Sequence, residues 1–434
     1  MEWWGLLLLI FCLLLALFAT GLPIFLAFLT LNIGALFYLT GSLDGVLLII
    51  NSMFDTGTSI SLAAIPLFIL LGEILFRSGA VKILFNAVDA LVGNIRARLY
   101  AVAILLSTIF GALSGSAMAV AAMMGSSLLP EMRNRGYDRD LSIGALLAGA
   151  SLAPIIPPSV MAVVLGILSK VSIASLLVAG ILPGILLAVA FFIYVVLRGK
   201  ANPSLAPLSP RADLSWNERA LLVARALPFL LIVVSILGFI LAGIATPTES
   251  AAVGCIVAVA VCATCADLSW RKLLECVQST ASITTVITTI MVTSVSFSQV
   301  LNLTGVTFDL VAAVTSLDLP TAIMFLMLLL LPFVLCMFID QVALMIMLVP
   351  LYVPIVTALG FDPVWFWTIF LIIMSIGGIT PPFGYTLFAL HGVTTDVPLQ
   401  SIFRAVVPFI GIFLLVIGLL AVVPDIILLL PSLL

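Results

Sequence analysis

Residues 151–160, SLAPIIPPSV, and residues 375–384, SIGGITPPFG, decide the fold of this chain. Each places two adjacent prolines, Pro157-Pro158 and Pro381-Pro382, inside a stretch otherwise apolar enough for the core of a membrane. Neither proline of a pair supplies a backbone N–H, and the rings clash with the preceding turn, so a helix must break there. A helix broken at bilayer depth persists only where its freed backbone groups face protein, water or a bound solute. Two breaks therefore predict two such places.

The pairs stand 224 residues apart, and the same shift superposes Pro23 on Pro247, Ala119 on Ala343, Met123 on Met347, Pro130 on Pro354, Gly136 on Gly360, Asp138 on Asp362 and Ser151 on Ser375. Apolar coincidences are common in such a chain, but repeated Pro, Gly and Asp matches are not. The chain reads as a duplicated unit.

Composition sets the solvent. With 64% hydrophobic and 8% charged residues in 434, and a mean hydropathy of +1.40, no water-soluble surface can be assembled. The chain is expected to be an all-α polytopic membrane protein. Its first segment, MEWWGLLLLIFCLLLALFAT, lacks the basic flank of a cleavable signal and reads as a retained span. The six cysteines lie in or beside apolar spans and read as small membrane residues, not as a disulfide framework. Cys262 and Cys265 have no partners for a metal site, since the only histidine is His391. No cofactor beyond coupling ions is expected.

The basic residues orient the spans. None occurs before Arg77; clusters then follow at Arg77, Lys82, Arg96 and Arg98, at Arg133, Arg135 and Arg139, and from Arg198 to Arg225, with Arg271, Lys272 and Arg404 later. By the positive-inside rule these are cytoplasmic, with Lys170 the single exception. Two such clusters flank residues 99–130, which must enter and leave on one side. Each arm is about 14 residues, short of the ~20 a spanning helix needs, so the segment reads as a re-entrant hairpin turning at Leu113, Ser114, Gly115 and Ser116. Residues 321–354 repeat the pattern around Ile339, Asp340 and Gln341 with no Lys or Arg on their flanks, and so enter from outside. The two halves are therefore inverted repeats, the arrangement of alternating-access carriers.

The first repeat is placed at 1–197, with spans at about 3–20, 24–40, 57–76, a broken span at 141–170, and 173–197. A cytoplasmic linker fills 198–225, its polar, proline-rich part running over 198–216. The second repeat, 226–434, has spans at about 226–245, 249–266, 280–301, a broken span at 364–394, and 402–424. Segments 43–56, 77–95 and 268–279 read as interfacial amphipathic arms. Ten passes put both termini outside.

A hairpin tip facing a double-proline break gathers unpaired helix ends, hydroxyls and carbonyls, the hard oxygen ligands a small cation such as sodium wants. The first such site would use Ser114, Gly115 and Ser116 with Ala153, Pro154 and Pro157. The second would use Asp340 and Gln341 with Gly377, Gly378 and Thr380. Hydroxyls of Ser116, Ser159 and Thr380 are candidates for touching the solute. Asp340 stands out, because an uncompensated carboxylate at an apolar tip is costly; a bound cation would neutralise it, and so would protonation or access to outer solvent. Glu73 has Arg77 four residues on, which reads as an intrahelical ion pair. Glu249 follows Thr246 as a first-turn acid.

At IPLFILLGEILFRSG, FGALSGSAMAVAAMMGSSLLPEM, LAPIIPPSV, GIATPTESAAVG and GGITPPFGYTLF the chain resembles the large membrane subunit of tripartite ATP-independent periplasmic (TRAP) transporters, over nearly all of Gly21 to Pro408. The resemblance implies an elevator-type, sodium-driven symporter of the bacterial inner membrane. It would take an organic anion, such as a C4-dicarboxylate or sialic acid, from a periplasmic binding protein, and work with a separate small four-helix membrane subunit. Of the family's sodium ligands, Ser114, Ser116 and Asp340 match by residue type. A stand-alone sodium–carboxylate symporter of similar hairpin architecture stays open, distinguished by transport without a soluble partner. A non-transporting pore or scaffold would need a continuous polar lining. An intramembrane hydrolase using Ser114 or Ser116 lacks a base, and no Walker-type GxxxxGK[ST] or nucleic-acid signature occurs.

Overall fold

Every regular element in the described residues is a helix. The computed structural model describes residues 2–42, 44–92, 97–207, 215–394 and 396–434. Arg96, Arg211, and part of the expected linker, 208–214, lie outside the described residues.

The sequence breaks where its prolines and caps dictate. The first broken segment is a helix Arg139–Ala150, an irregular stretch, and a helix Val160–Ser169; the second is Pro363–Gly377 followed by Tyr385–Val393. Each begins on an aspartate that accepts the N–H of the third helical residue, Asp138 from Leu141 at 2.8 Å and Asp362 from Trp365 at 2.9 Å. Such caps satisfy donors that the first turn leaves orphaned. The Pro157-Pro158 and Pro381-Pro382 bonds are both cis.

Two helical hairpins, Arg98–Ser114 with Ala117–Asn134 and Thr321–Leu335 with Gln341–Ala358, flank these breaks. Their arms, of 17 and 18 residues in the first and 15 and 18 in the second, exceed the length expected from the charge clusters. Pro130, Pro332, Pro350 and Pro354 sit inside them without ending them, so the helices continue past the apolar run into the flanking turns.

The helices sort into two groups. One holds Trp3–Ala19, Ile24–Thr40, Ala64–Arg77, Ala80–Val92, Trp216–Leu241, Pro247–Cys265 and Trp270–Leu303, packed on one another. The other holds both hairpins, both broken segments, Ile181–Ala201 and Leu399–Val422. Within this second group the two halves of the chain interlock. Gly144 lets Arg139–Ala150 meet Leu399–Val422 so closely that a Cβ there would lie 2.4 Å from the Ala405 carbonyl oxygen. Phe191 stacks edge-on against Phe409 and Phe413 at 5.6 and 5.2 Å in the same seam. We refer to the first group as the frame and the second as the block.

Several boundaries differ from the sequence reading. The arm 268–279 and the span 280–301 are one uninterrupted 34-residue helix, Trp270–Leu303, because no Pro or Gly interrupts it. The span expected over 173–197 is divided into Ile173–Ala179 and Ile181–Ala201 at Gly180, whose Cβ position lies 2.2 Å from the Ile155 carbonyl oxygen. A helix Val306–Ser316, not expected from the sequence, precedes the second hairpin. The linker ends early: Ser215 and Glu218 form a reciprocal capping box, so Trp216–Leu241 is helical ten residues before the expected span.

Candidate functional site

The first hairpin turns through Ser114, Gly115 and Ser116. Gly115 takes φ +63°, a left-handed conformation that a Cβ would penalise, and its N–H reaches the Gly111 carbonyl at 2.8 Å. The Ser114 hydroxyl oxygen accepts the Ser116 N–H at 3.3 Å, and that of Ser116 accepts the Ala119 N–H at 3.3 Å. In the second hairpin Asp340 does the same service: its Oδ2 accepts the N–H groups of Val342 and Ala343 at 2.9 and 3.4 Å. One tip is thus capped by a neutral hydroxyl and the other by a carboxylate.

Each tip is backed by the break of its own half. Gly111 in the first hairpin lies against Ala153, and Gly115 against Val160. In the second, a Cβ at Gly377 would fall 2.4 Å from the Cys336 Cβ, and one at Gly378 would fall 2.6 Å from the Tyr385 hydroxyl oxygen. Glycine at 377 lets the break seat against the end of the hairpin's first arm, and glycine at 378 makes room for the Tyr385 ring of the break's own second half-helix. Gly377 and Gly378 also give their carbonyls to the N–H groups of Thr380 and Thr386, at 3.1 and 3.0 Å.

The two tips then share one cavity of about 250 Å³, with Ser114, Gly115, Ser116, Asp340 and Gln341 on its wall. The sequence predicted two separate places; the structure sets the tips side by side. Across from them stands the frame, through Ile69, Gly72, Glu73, Phe76, Ile283 and Ile287. Ala153, Pro154, Pro157, Gly377, Gly378 and Thr380 are buried behind this wall, not on it. Ser159 and Thr380 do not reach the cavity either: the Ser159 hydroxyl donates to the Pro154 carbonyl, and that of Thr380 to the Ile376 carbonyl at 2.7 Å. Of the three hydroxyls expected to touch the solute, Ser116 alone lines the cavity.

Two residues of the wall carry a buried polar atom without a hydrogen-bond partner, that of Tyr385 lying against Gly378 behind the wall. Gln341 is only 6% exposed and its Oε1 is unpaired; the buried hydroxyl of Tyr385 is unpaired too. Tyr385 escaped the sequence reading, and its signal was a lone phenol directly after the PPFG break in an apolar half-helix. Glu73 was read only as an ion-pair partner. The structure shows that pair, Arg77 Nε to Glu73 Oε2 at 2.6 Å, and also places Glu73, but not Arg77, on the cavity wall. Thr246 and Glu249 form a reciprocal capping box away from this cavity, and His391 lies in the last turn of Tyr385–Val393. All six cysteines are free.

The profile of the family described as tripartite ATP-independent periplasmic transporter, DctM component, matches residues 11–426. The chain is 32% identical to the ectoine TRAP transporter large permease protein of Halomonas elongata, over 95% of this chain and 96% of that one. It is 32% identical to the C4-dicarboxylate TRAP transporter large permease protein of Pseudomonas aeruginosa, over 92% of each, and 31% identical to the sialic acid TRAP transporter large permease protein of Vibrio cholerae, over 96% and 97%. Among solved structures, the Alcanivorax borkumensis YdaH transporter superposes with a TM-score of 0.63 at 15% identity, covering 87% of this chain and 88% of that one. At that identity the likeness speaks for the fold alone.

Proposed function

Because the chain belongs to the tripartite ATP-independent periplasmic transporters as their DctM component, we propose that it is the large membrane subunit of a sodium-driven importer of a small carboxylated solute, working by an elevator movement. Its partners in this reading are a small membrane subunit and a periplasmic binding protein that delivers the solute. The setting is the bacterial inner membrane, with the Arg133 to Arg139 loop cytoplasmic and both termini periplasmic.

The observation that carries the proposal is the shared cavity. Two hairpin tips from opposite halves meet there, at the seam between a block that holds all the breaks and a frame of long helices. A block of that kind can carry solute and ions together past a fixed frame. Sodium would sit behind the tips, one ion among Ser114, Gly115, Ser116, Ala153, Pro154 and Pro157, the other among Asp340, Gln341, Gly377, Gly378 and Thr380. Carbonyls engaged in one hydrogen bond keep a second lone pair for a cation, and a cation beside Asp340 offsets the cost of its charge.

Reconstituted with its partners, the protein is expected to accumulate solute only under an inward sodium gradient. Equal uptake with potassium replacing sodium on both sides rejects the coupling.

A further inference from the structure

Lys170 departs from two regularities of this chain. It is the one basic residue that the charge pattern places on the outer side, where topology asks for none. It also closes the helix Val160–Ser169 with φ +59°, a left-handed conformation that disfavours a residue with a Cβ and is usually left to glycine or asparagine. Its side chain is exposed and has no ion-pair partner among the described residues. A lysine in a conformation that suits it poorly points to a use for its charge.

Its surroundings supply the partner. Lys170 lines a second cavity, of about 670 Å³, between block and frame. Block residues between Gly166 and Ala174 form one wall, and Ser59 to Ser61 with Thr246 to Glu249 form the frame wall. The charged side chains on these walls are Lys170 and Glu249, one on each. One carboxylate oxygen of Glu249 accepts the N–H and the hydroxyl of Thr246, both at 2.8 Å, and Glu249 has no cation partner among the described residues.

The two cavities are the ends of one seam. Val160–Ser169 starts at the tip cavity, which Val160 and Met161 line, and ends at Lys170 in the outer one; on the frame side Ile60–Arg77 runs from the outer cavity to Glu73 and Phe76 at the tips. The tips thus stand beside the Arg77 end of the frame, which the charge pattern makes cytoplasmic, so the block is at the inner end of its travel and Lys170 faces Glu249. We propose that Lys170 is a positioning residue: its attraction to Glu249 across the outer seam favours the inner position of the block, and outward sliding separates the two charges. This rests on the sliding-block reading above. Both charges are exposed, so the attraction is weak and screened by salt, which suits a contact made and broken in every cycle.

The test follows block position in the purified membrane complex in nanodiscs. Spin labels at Ser126→Cys in the block and Thr285→Cys in the frame, both exposed positions, in a background without the six native cysteines, let double electron–electron resonance read the inner and outer populations. At low ionic strength and fixed sodium, Lys170→Asn, which suits the left-handed turn, and Glu249→Gln, which preserves the capping box, should each shift the ratio about twofold to fivefold toward the outer position. The double variant should shift it no further than either single one. Lys170→Arg should leave it near the parent ratio, and choline chloride at about 0.5 M should erase the difference. Additive shifts, a ratio unchanged by either substitution, or a shift that survives the added salt would overturn the inference. A single block position in every variant, with and without sodium, would overturn the sliding reading itself, and is told apart from failure of the pair alone, which leaves two positions whose ratio ignores Lys170.

Discussion

Ser116 and Asp340, separated by 224 residues, hold the same post: each caps the returning helix of its hairpin, and both face one cavity. The duplication has kept the cap and changed its charge. A serine cap needs nothing more, whereas an aspartate cap at an apolar tip leaves a charge to be neutralised.

Asp340→Asn is therefore expected to raise the sodium concentration for half-maximal uptake several-fold while leaving thermal stability within about 0.5 kcal/mol, because asparagine is as good a cap. Asp340→Ala should in addition lose about 1 kcal/mol, since the cap goes with the charge. Uptake titrations across sodium, paired with thermal unfolding, separate the two effects. An unchanged sodium dependence in Asp340→Asn would confine the residue to capping.

Arg133, at the base of the first hairpin, pairs with Asp396, just beyond the second broken segment. The guanidinium's hydrogen bond holds the Asp396 carboxyl below the usual carboxylate range. A depressed folded value means the pair stabilises above the ordinary carboxylate pKa of about 3.9, and that this is lost as pH falls through the lower folded value. Both groups are exposed, so the effect is small. Asp396→Asn should lower the melting temperature slightly and equally from about pH 5 to 8, with the gap closing at more acid pH. A gap that widens on acidification would contradict this.

The orientation of the halves predicts that Asn134 and Gly360, near the ends of corresponding helices, lie on opposite sides of the membrane. Single cysteines there, in a background without the six native ones, should react with impermeant reagents from opposite faces. Labelling from one face would remove the inverted arrangement.

Where the Ser294 hydroxyl donates to the Ile346 carbonyl at 3.2 Å, a frame helix touches the returning arm of the second hairpin. Ser294→Cys with Ile346→Cys, joined by a short cross-linker, should stop transport while leaving docking of the binding protein intact. Full transport by quantitatively cross-linked protein would show that the block does not slide here, and local opening of the tips would be the better account.

The local devices of this fold were legible in the sequence because they act over a few residues. The double prolines mark the breaks at 157–158 and 381–382, and Glu73 with Arg77 declares an ion pair by spacing alone, whereas Asp138 and Asp362 showed only as a repeat pair and their capping role came from the structure. The continuity of Trp270–Leu303 was missed, since mixed polarity at its start resembles an interfacial arm although no residue breaks the helix. Thr380 and Ser159 looked available because a sequence cannot show that their hydroxyls are already given to carbonyls of their own turn.

By itself, then, the sequence determined an all-helical membrane protein of two related halves, each with a break and a hairpin, because apolar length and missing backbone donors act locally. Only the tertiary structure decided that the tips of Ser114 to Ser116 and Asp340 to Gln341 share one cavity, and that Glu73 and Tyr385 complete its wall. Those residues come from four separate helical segments across more than 300 positions, and their meeting depends on how closely helices approach at positions such as Gly144, Gly377 and Gly378. Close approach is a property of two surfaces at once, and no single stretch of sequence carries both.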